Sequence, residues 1–217
     1  MSQKRLRLGV LISGRGSNLQ ALIDASATSA FPAEIALVVS NVANAEGLDR
    51  AHKAGLETTV IDHKRFLGRT PFEDAITAAL EAEAVDLVCL AGFMRLLTPG
   101  FVTHWHDRMI NIHPSLLPAY RGLNTHERAI NDGVRFTGCT VHYVRPDCDA
   151  GPIIAQAAVP VAPDDTPETL AKRVLLSEHQ IYPEAVRLIA EGRTRIVNER
   201  VLVSGTALPP STINPKV

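Results

Sequence analysis

The chain has 217 residues, of which 46% are hydrophobic and 21% are charged, and its formal net charge is −1. These proportions are typical of a folded globular domain and argue against a disordered or fibrous chain. The near-zero net charge excludes a broad basic surface, so we expect neither nucleic acid nor a membrane as a partner. The three cysteines form no CxxC pair, which predicts neither a disulfide framework nor a zinc ribbon and favours a reducing, cytoplasmic compartment.

The first half of the chain alternates short apolar runs with helical patterns. This alternation predicts an α/β fold with a doubly wound, mostly parallel sheet. Strands are predicted at 8–12, 34–40, 58–61 and 87–91, and helices from 18, at 45–54 and at 71–84.

The second half predicts an antiparallel extension of that sheet. Strands are predicted at 109–113, 138–144 and 153–161, with a short helix at 126–132. A long helix begins at Thr166, the capping residue of a TPET sequence, and Pro183 either kinks it or starts a second helix that runs to about 191. The residues 205–217 carry three prolines and predict a loose tail, which leaves a single domain over residues 1–204.

A glycine-rich segment from Ser13 to Asn18, here called the glycine loop, lies between the first strand and the first helix. Glycines allow a ligand to approach the backbone, and amide N–H groups at a helix start attract an anion. The loop lacks the Gly-Lys-Ser/Thr sequence of a P-loop, and Leu19 replaces the third glycine of a dinucleotide fingerprint. A phosphate site for a mononucleotide-sized ligand fits better, and the alternative is a tight turn without a ligand.

Two polar side chains, Asn111 and His113, alternate with Ile112 at the end of an apolar strand. Alternation places them on one face, and Pro114 ends the strand at the edge where α/β sheets bind ligands. An amide and an imidazole suit acyl-type transfer, because Asn111 would donate to a developing oxyanion while His113 moves protons or stabilises that charge. The alternative is a buried histidine paired with backbone beside a turn-capping asparagine.

Two acids, Asp147 and Asp149, lie in the loop after a later strand. A carboxylate near an imidazole favours the charged ring, so either acid becomes a partner of His113 if the fold brings it there. The alternative is that both are ordinary turn residues. His104 and His106 have no nearby cysteine or acid pattern, so no metal site is predicted.

Taken together, these segments resemble the folate-dependent formyltransferase family, and within it the glycinamide ribonucleotide branch. The resemblance runs from about residue 7 to about residue 210. It is carried by VLISGRGSNLQALID, VVSNVANAEGLDRAHKAG, LVCLAGFMRLLTP, NIHPSLLPAYRGLNTHERAI, GCTVHYVRPDCDAGPIIAQ and SEHQIYP. The NIHPSLLP block with a following D-x-G is typical of the wider family, whereas the GxGSN loop and the short length select the branch.

The resemblance implies a Rossmann-like core and two small-molecule partners, glycinamide ribonucleotide and a reduced folate. The family transfers a formyl group from the co-substrate 10-formyltetrahydrofolate to the amine of the ribonucleotide in purine biosynthesis, without a metal. Its catalytic set falls on Asn111, His113 and Asp149. Asn111 would hold the oxyanion of a tetrahedral intermediate, His113 would donate a proton and stabilise charge, and Asp149 would keep His113 charged or orient it.

The resemblance also implies the ligand contacts, with the ribonucleotide in the N-terminal half and the folate in the C-terminal half. The ribonucleotide contacts fall on the glycine loop and one later acid: Gly16, Ser17, Asn18 and Glu178. The folate contacts fall on one arginine, one apolar segment, the loop after the later strand and part of the catalytic set: Arg69, Met94, Arg95, Leu96, Leu97, Asn111, Arg145, Pro146, Asp147, Cys148 and Asp149.

The sequence departs from the family pattern at Asn124, Cys148, Ala150 and Leu175. Alternative functions are a formyltetrahydrofolate hydrolase, another family member, or a nucleotide-sensing module without enzymatic activity. The short length leads us to expect neither the regulatory domain of the hydrolase nor the C-terminal extension of the methionyl-tRNA enzyme. A sensing module would not need two polar side chains on one strand face. The sequence makes no prediction of oligomeric state.

Overall fold

The protein is described by a computed structural model that covers residues 4–205, 207 and 214. Strands and helices alternate along the chain: β1 (Leu6–Ile12), α1 (Ser17–Ser26), β2 (Ala33–Ser40), α2 (Glu46–Lys53), β3 (Thr58–Val60), α3 (Arg69–Ala82), β4 (Leu87–Leu90), α4 (Pro99–His104), β5 (Met109–His113), α5 (Thr125–Asn131), β6 (Phe136–Tyr143), β7 (Ile153–Pro160), α6 (Pro167–Ala190), β8 (Thr194–Val197) and β9 (Arg200–Val203). A short 3-10 helix covers His63–Arg65.

Seven strands form one sheet in the order β3-β2-β1-β4-β5-β6-β7. The first five strands pair in parallel, whereas β6 and β7 join in antiparallel fashion. The predicted fold class, a mostly parallel doubly wound sheet with an antiparallel extension, is therefore confirmed. The strand order reverses between β1 and β4, and in such sheets the ligand crevice lies beyond the carboxyl ends of the strands at that point.

Two apolar layers cover the two faces of the sheet. One face packs against α1, α2 and α6, with Leu19 and Tyr182 among the buried contacts. The other packs against α3 and α4, with Ile76 and Phe101 buried there. All four residues of β4 are buried, which explains its continuous apolar sequence.

The long helix α6 begins as predicted at a Thr166 cap. The Thr166 hydroxyl accepts a hydrogen bond from the Thr169 amide, and the Thr169 hydroxyl accepts one from the Thr166 amide, which completes a capping box. Pro183 lies inside a single helix and does not start a second one. The neighbouring Tyr182 is fully buried and donates a 2.9 Å hydrogen bond to the carbonyl of Leu90, so tertiary packing holds the helix across the proline.

The short 3-10 helix, helix α4 and the hairpin of β8 and β9 were not predicted. Helix α4 has only six residues, too few for a periodic pattern, and is signalled by the Thr98 cap with Pro99 in its first turn. The antiparallel hairpin of β8 and β9 follows α6. The predicted loose tail at 205–217 falls mostly outside the described residues. No helix in the described part of the chain is both long enough and apolar enough to span a bilayer.

Candidate active site

A crevice of about 950 Å³ opens at the carboxyl ends of β4 and β5. Its floor includes Asn111 and His113 from the end of β5. Its walls come from three connecting segments, 92–97, 122–127 and 144–149. This position is the one that the strand order predicts for a ligand.

His113 is nearly buried at the last position of β5, and both of its ring nitrogens face oxygen atoms. Its Nδ1 atom lies 3.3 Å from Oδ1 of Asp149, and its Nε2 atom lies 2.9 Å from the carbonyl oxygen of Tyr120. A carbonyl and an ionised carboxylate only accept hydrogen bonds, so both ring nitrogens must donate. This arrangement therefore favours the positively charged imidazolium form of the ring. Of the two candidate acids, the fold brings Asp149 to the ring and leaves Asp147 exposed.

The Asp149 carboxylate is held from two sides. Its Oδ2 atom accepts a 2.8 Å hydrogen bond from the amide of Gly122, while Oδ1 faces His113. Burial alone would raise the pKa of this carboxyl group, but the hydrogen bonds from His113 and Gly122 outweigh it and lower the pKa to about 2. Asp149 is therefore ionised at neutral pH.

The backbone of the loop that carries Asp149 is tightly shaped. Asp149 itself has φ of 45°, in the left-handed region that aspartate tolerates better than most residues. Gly151 has φ of 124°, and a Cβ there would lie 2.1 Å from the carbonyl oxygen of Tyr143. The departure at Ala150 is accommodated, since Ala150 is not among the residues with positive φ. The loop thus needs glycine at 151 and not at 150.

Asn111 faces the same side of the sheet as His113, as the strand alternation predicts, and pairs across the strands with His142. The Nδ1 atom of His142 lies 3.0 Å from the Tyr143 carbonyl and must donate to it, which leaves Nε2 as an acceptor. Nε2 lies 3.3 Å from Nδ2 of Asn111, so the amide nitrogen donates to it. Burial lowers the pKa of His142 and keeps it neutral, as this role requires. The sequence alone did not decide whether His142 is a crevice residue or a capping or packing residue.

The glycine loop forms a second candidate site, at the start of α1. Gly16 is the N-cap residue with φ of 68°, and within the described residues no side chain caps this helix. The Nδ2 atom of Asn18 donates a 2.7 Å hydrogen bond to Oε2 of Glu178 from α6. Oδ1 of Asn18 is buried with no hydrogen-bond partner in the part of the chain that the structure describes. The fold therefore brings Gly16, Ser17, Asn18 and Glu178 together beside uncapped amide groups.

Glu178 links this second site to the crevice. The side chain is nearly buried, and burial raises the pKa of its carboxyl group. The hydrogen bond from Asn18 and the positive charge of His113 both act to lower that pKa. The electrostatic effect of His113 on this carboxyl group means that the glycine loop and the crevice are neighbours.

Most of the predicted folate residues line the crevice, namely Met94, Arg95, Leu96, Leu97, Asn111, Arg145, Pro146, Asp147, Cys148 and Asp149. The side chains of Met94 and Leu96 are 71% and 69% exposed, and Leu123, from another lining segment, is 79% exposed. Large apolar side chains gathered at a concave rim mark a binding surface.

Two predicted folate residues differ from the others. The Arg145 side chain is engaged in ion pairs, and Arg69 lies outside the crevice lining. The Arg145 guanidinium, although on the crevice wall, donates to Asp107 at 2.8 Å and to Glu199 in the β8–β9 turn at 2.7 Å. These two ion pairs neutralise the charge of the guanidinium group. Arg69 is the first residue of α3 and is not among the residues that line the crevice.

Three contributors to the site had no side-chain signal in the sequence. Tyr120 and Gly122 act through a backbone carbonyl and a backbone amide, and Leu123 reads as an ordinary loop residue. Among residues 4–205, 207 and 214, no group of three or more His, Cys, Asp or Glu side chains is arranged to hold a metal ion.

Residues 6–186 match the sequence profile of the formyl transferase family. The chain belongs to the formyl transferase family. It is 45% identical to the phosphoribosylglycinamide formyltransferase of Haemophilus influenzae over 94% of this chain and 97% of that one. This identity over nearly the full length of both proteins places the chain among the phosphoribosylglycinamide formyltransferases of the family.

Two further relatives agree with this membership. The crystal structure of glycinamide ribonucleotide transformylase 1 from Symbiobacterium toebii superposes with a TM-score of 0.90 at 49% identity, covering 92% of this chain and 94% of that one. The trifunctional purine biosynthetic protein adenosine-3 of Bos taurus is 53% identical over 89% of this chain. The chain spans only 19% of the length of that protein, so the match concerns one part of it.

Proposed function

We propose that the protein transfers the formyl group of 10-formyltetrahydrofolate to the amine of glycinamide ribonucleotide, as a cytoplasmic step of de novo purine biosynthesis. The observation that carries the proposal is the contact between His113 and Asp149 beside the Asn111 amide, in a crevice close to the uncapped glycine loop. Membership of the family supports the same reaction.

In the proposed reaction, the ribonucleotide amine attacks the formyl carbon and generates a tetrahedral oxyanion. The Asn111 amide has a second N–H besides the one donated to His142, and that N–H donates to the oxyanion. Both N–H groups of His113 are already bound, so the ring contributes its positive charge to the low-dielectric crevice. Proton donation by His113 would require its Nε2–H to leave the Tyr120 carbonyl.

Asp149 acts mainly through His113. Because the pKa of its carboxyl group is about 2, the carboxylate is a weak base and does not retain the amine proton. Its charge keeps the imidazolium in place, and its oxygens orient a water molecule at the crevice floor. That water passes the proton lost by the amine to the folate nitrogen that leaves, so the reaction consumes and releases no net proton.

We assign the ribonucleotide to the second site. Its phosphate accepts hydrogen bonds from the uncapped amides of Gly16, Ser17 and Asn18 at the start of α1. Glu178 accepts a hydrogen bond from a ribose hydroxyl. Oδ1 of Asn18 also accepts one from the ligand, which satisfies a buried oxygen that otherwise costs free energy.

We assign the aromatic part of the folate to the apolar rim of the crevice. Met94, Leu96 and Leu123 offer exposed apolar surface on two of the segments that line it. The charge of Arg145 is paired with Asp107 and Glu199 and is not free for the folate. We therefore assign Arg145 to support of the loop that carries Asp149. Arg69 would contact only a part of the folate that extends outside the crevice.

An absorbance assay of folate deformylation tests the proposal. Turnover that requires glycinamide ribonucleotide is the expected result. Turnover with folate alone would identify a hydrolase, and binding of both ligands without turnover would identify a sensing module. A His113→Ala variant is expected to lose turnover while a His104→Ala variant, changed on the surface, retains it.

A further inference from the structure

The first turn of α2 lies directly against the glycine loop. The Gly47 amide donates a 3.0 Å hydrogen bond to the carbonyl of Gly14. A Cβ built on Gly47 would lie 3.1 Å from the Cα of Gly16, 3.2 Å from the carbonyl oxygen of Gly14 and 2.6 Å from Cδ1 of Ile12. The Ile12 side chain can rotate aside, but the two backbone atoms cannot move unless the loop moves. The contact therefore depends on the absence of a side chain at residue 47.

The helix itself gives no reason for glycine at this position. Gly47 is buried within α2 and does not have the positive φ that favours glycine. Alanine is a better helix former than glycine, so α2 alone would favour alanine here. The close approach of the glycine loop is the remaining physical reason for a glycine.

One turn later, Arg50 binds the same loop. Its Nε atom donates a 2.8 Å hydrogen bond to the carbonyl of Arg15, and Nη1 reaches Gln20 on α1 at 3.4 Å. In a trans peptide the C=O and the next N–H point in opposite directions. By fixing the carbonyls of Gly14 and Arg15 on its own side, α2 turns the amides of Arg15 and Gly16 away from itself.

We propose that Gly47 and Arg50 are positioning residues for the anion site of the glycine loop, although neither touches the ligand. They hold the carbonyls of Gly14 and Arg15 on the α2 side and so present the Gly16 amide to the phosphate of the ribonucleotide. This inference rests on the proposed function of the glycine loop. It adds α2 as a second element that determines ribonucleotide affinity.

The test compares Gly47→Ala with the wild-type protein in steady-state kinetics and in calorimetric titration with glycinamide ribonucleotide. We expect the KM and Kd for the ribonucleotide to rise roughly tenfold, because an overpacked contact displaces backbone. The kcat and the KM for the folate are expected to stay within about twofold, since the crevice is not overpacked. An Arg50→Met variant keeps the apolar stem and is expected to raise the ribonucleotide KM about threefold, as loss of one hydrogen bond implies.

The matched control is Gly100→Ala in α4. A Cβ at Gly100 meets only Oγ1 of Thr98, at 3.8 Å, so all kinetic parameters should remain at wild-type values. An unchanged ribonucleotide KM in folded Gly47→Ala would overturn the inference, as would equal losses for both substrates. If Gly47→Ala does not fold, an unchanged KM in Arg50→Met overturns it. Failure of the wild-type protein to bind the ribonucleotide would instead refute the proposed function.

Discussion

Nδ1 of His113 lies 3.3 Å from Oδ1 of Asp149, which joins the end of β5 to the loop between β6 and β7. The other ring nitrogen donates to the Tyr120 carbonyl, so the ring is held from both sides. Because neither partner donates, the geometry fixes the orientation of the ring and favours its positively charged form. A positively charged ring beside the Asn111 amide would stabilise a developing oxyanion.

The first prediction concerns the charge of Asp149. In Asp149→Asn the side chain keeps its size but no longer favours the imidazolium, so we expect kcat to fall about 100-fold or more. Calorimetric titration should show that both substrates still bind. Asp164→Asn changes an exposed aspartate that does not line the crevice and serves as the control, with kcat near the wild-type value. A wild-type rate in Asp149→Asn would contradict the role assigned to the ion pair.

The second prediction concerns stability in acid. The pKa of Asp149 is about 2 in the folded protein, below the value of about 3.9 for an unfolded chain, so ionised Asp149 stabilises the fold by about 2 kcal/mol. This contribution is complete above about pH 4 and is lost as the pH falls through about 2. Urea unfolding at several pH values should show a wild-type advantage over Asp149→Asn that is constant near neutrality and shrinks in acid. A pH-independent difference would refute this account.

Local patterns predicted most of the fold because apolar periodicity follows directly from burial. β5 was predicted with its observed limits, and α1, α2 and α3 within about two residues of theirs. The hairpin of β8 and β9 escaped prediction because its strands are at most half-buried. Helix α4 was too short to show a period.

The candidate site likewise contains residues that a local pattern placed correctly and residues that no local pattern could place. Strand alternation alone placed Asn111 and His113 on one face. The choice between Asp147 and Asp149 depends on how a distant loop folds onto β5, with the Gly122 amide as an anchor, and no local pattern contains that information. The roles that we assign to these residues and to the ligand contacts remain predictions.

The third prediction concerns His142, whose Nε2 orients the Asn111 amide. His142→Phe keeps an aromatic ring but removes the acceptor, so Asn111 is released and kcat is expected to fall about tenfold, in line with the loss of one hydrogen bond. KM values should change little, because the ligand contacts remain. His142→Gln retains an acceptor oxygen and should recover part of the rate. Equal rates in the Phe and Gln variants would show that His142 acts only by packing.

The fourth prediction concerns Glu73, a buried acid on α3. Its carboxylate accepts a 2.9 Å hydrogen bond from the Thr98 amide and another from the Thr98 hydroxyl, next to the crevice segment 92–97. Glu73→Ala leaves these donors unsatisfied, so the free energy of unfolding should fall by about 1–3 kcal/mol. Chemical denaturation measures this change. Asp74→Ala alters an exposed neighbour and should stay within about 0.5 kcal/mol of wild type.

The destination of the formyl carbon distinguishes transfer to the ribonucleotide from hydrolysis of the folate. The protein is incubated with glycinamide ribonucleotide and 10-formyltetrahydrofolate that carries an isotopic label in its formyl group, and the products are separated and identified by mass spectrometry. We predict that each folate deformylated yields one ribonucleotide labelled on its amine, and that omission of the ribonucleotide stops deformylation. Release of the label as free formate, at the same rate with or without the ribonucleotide, would contradict the account.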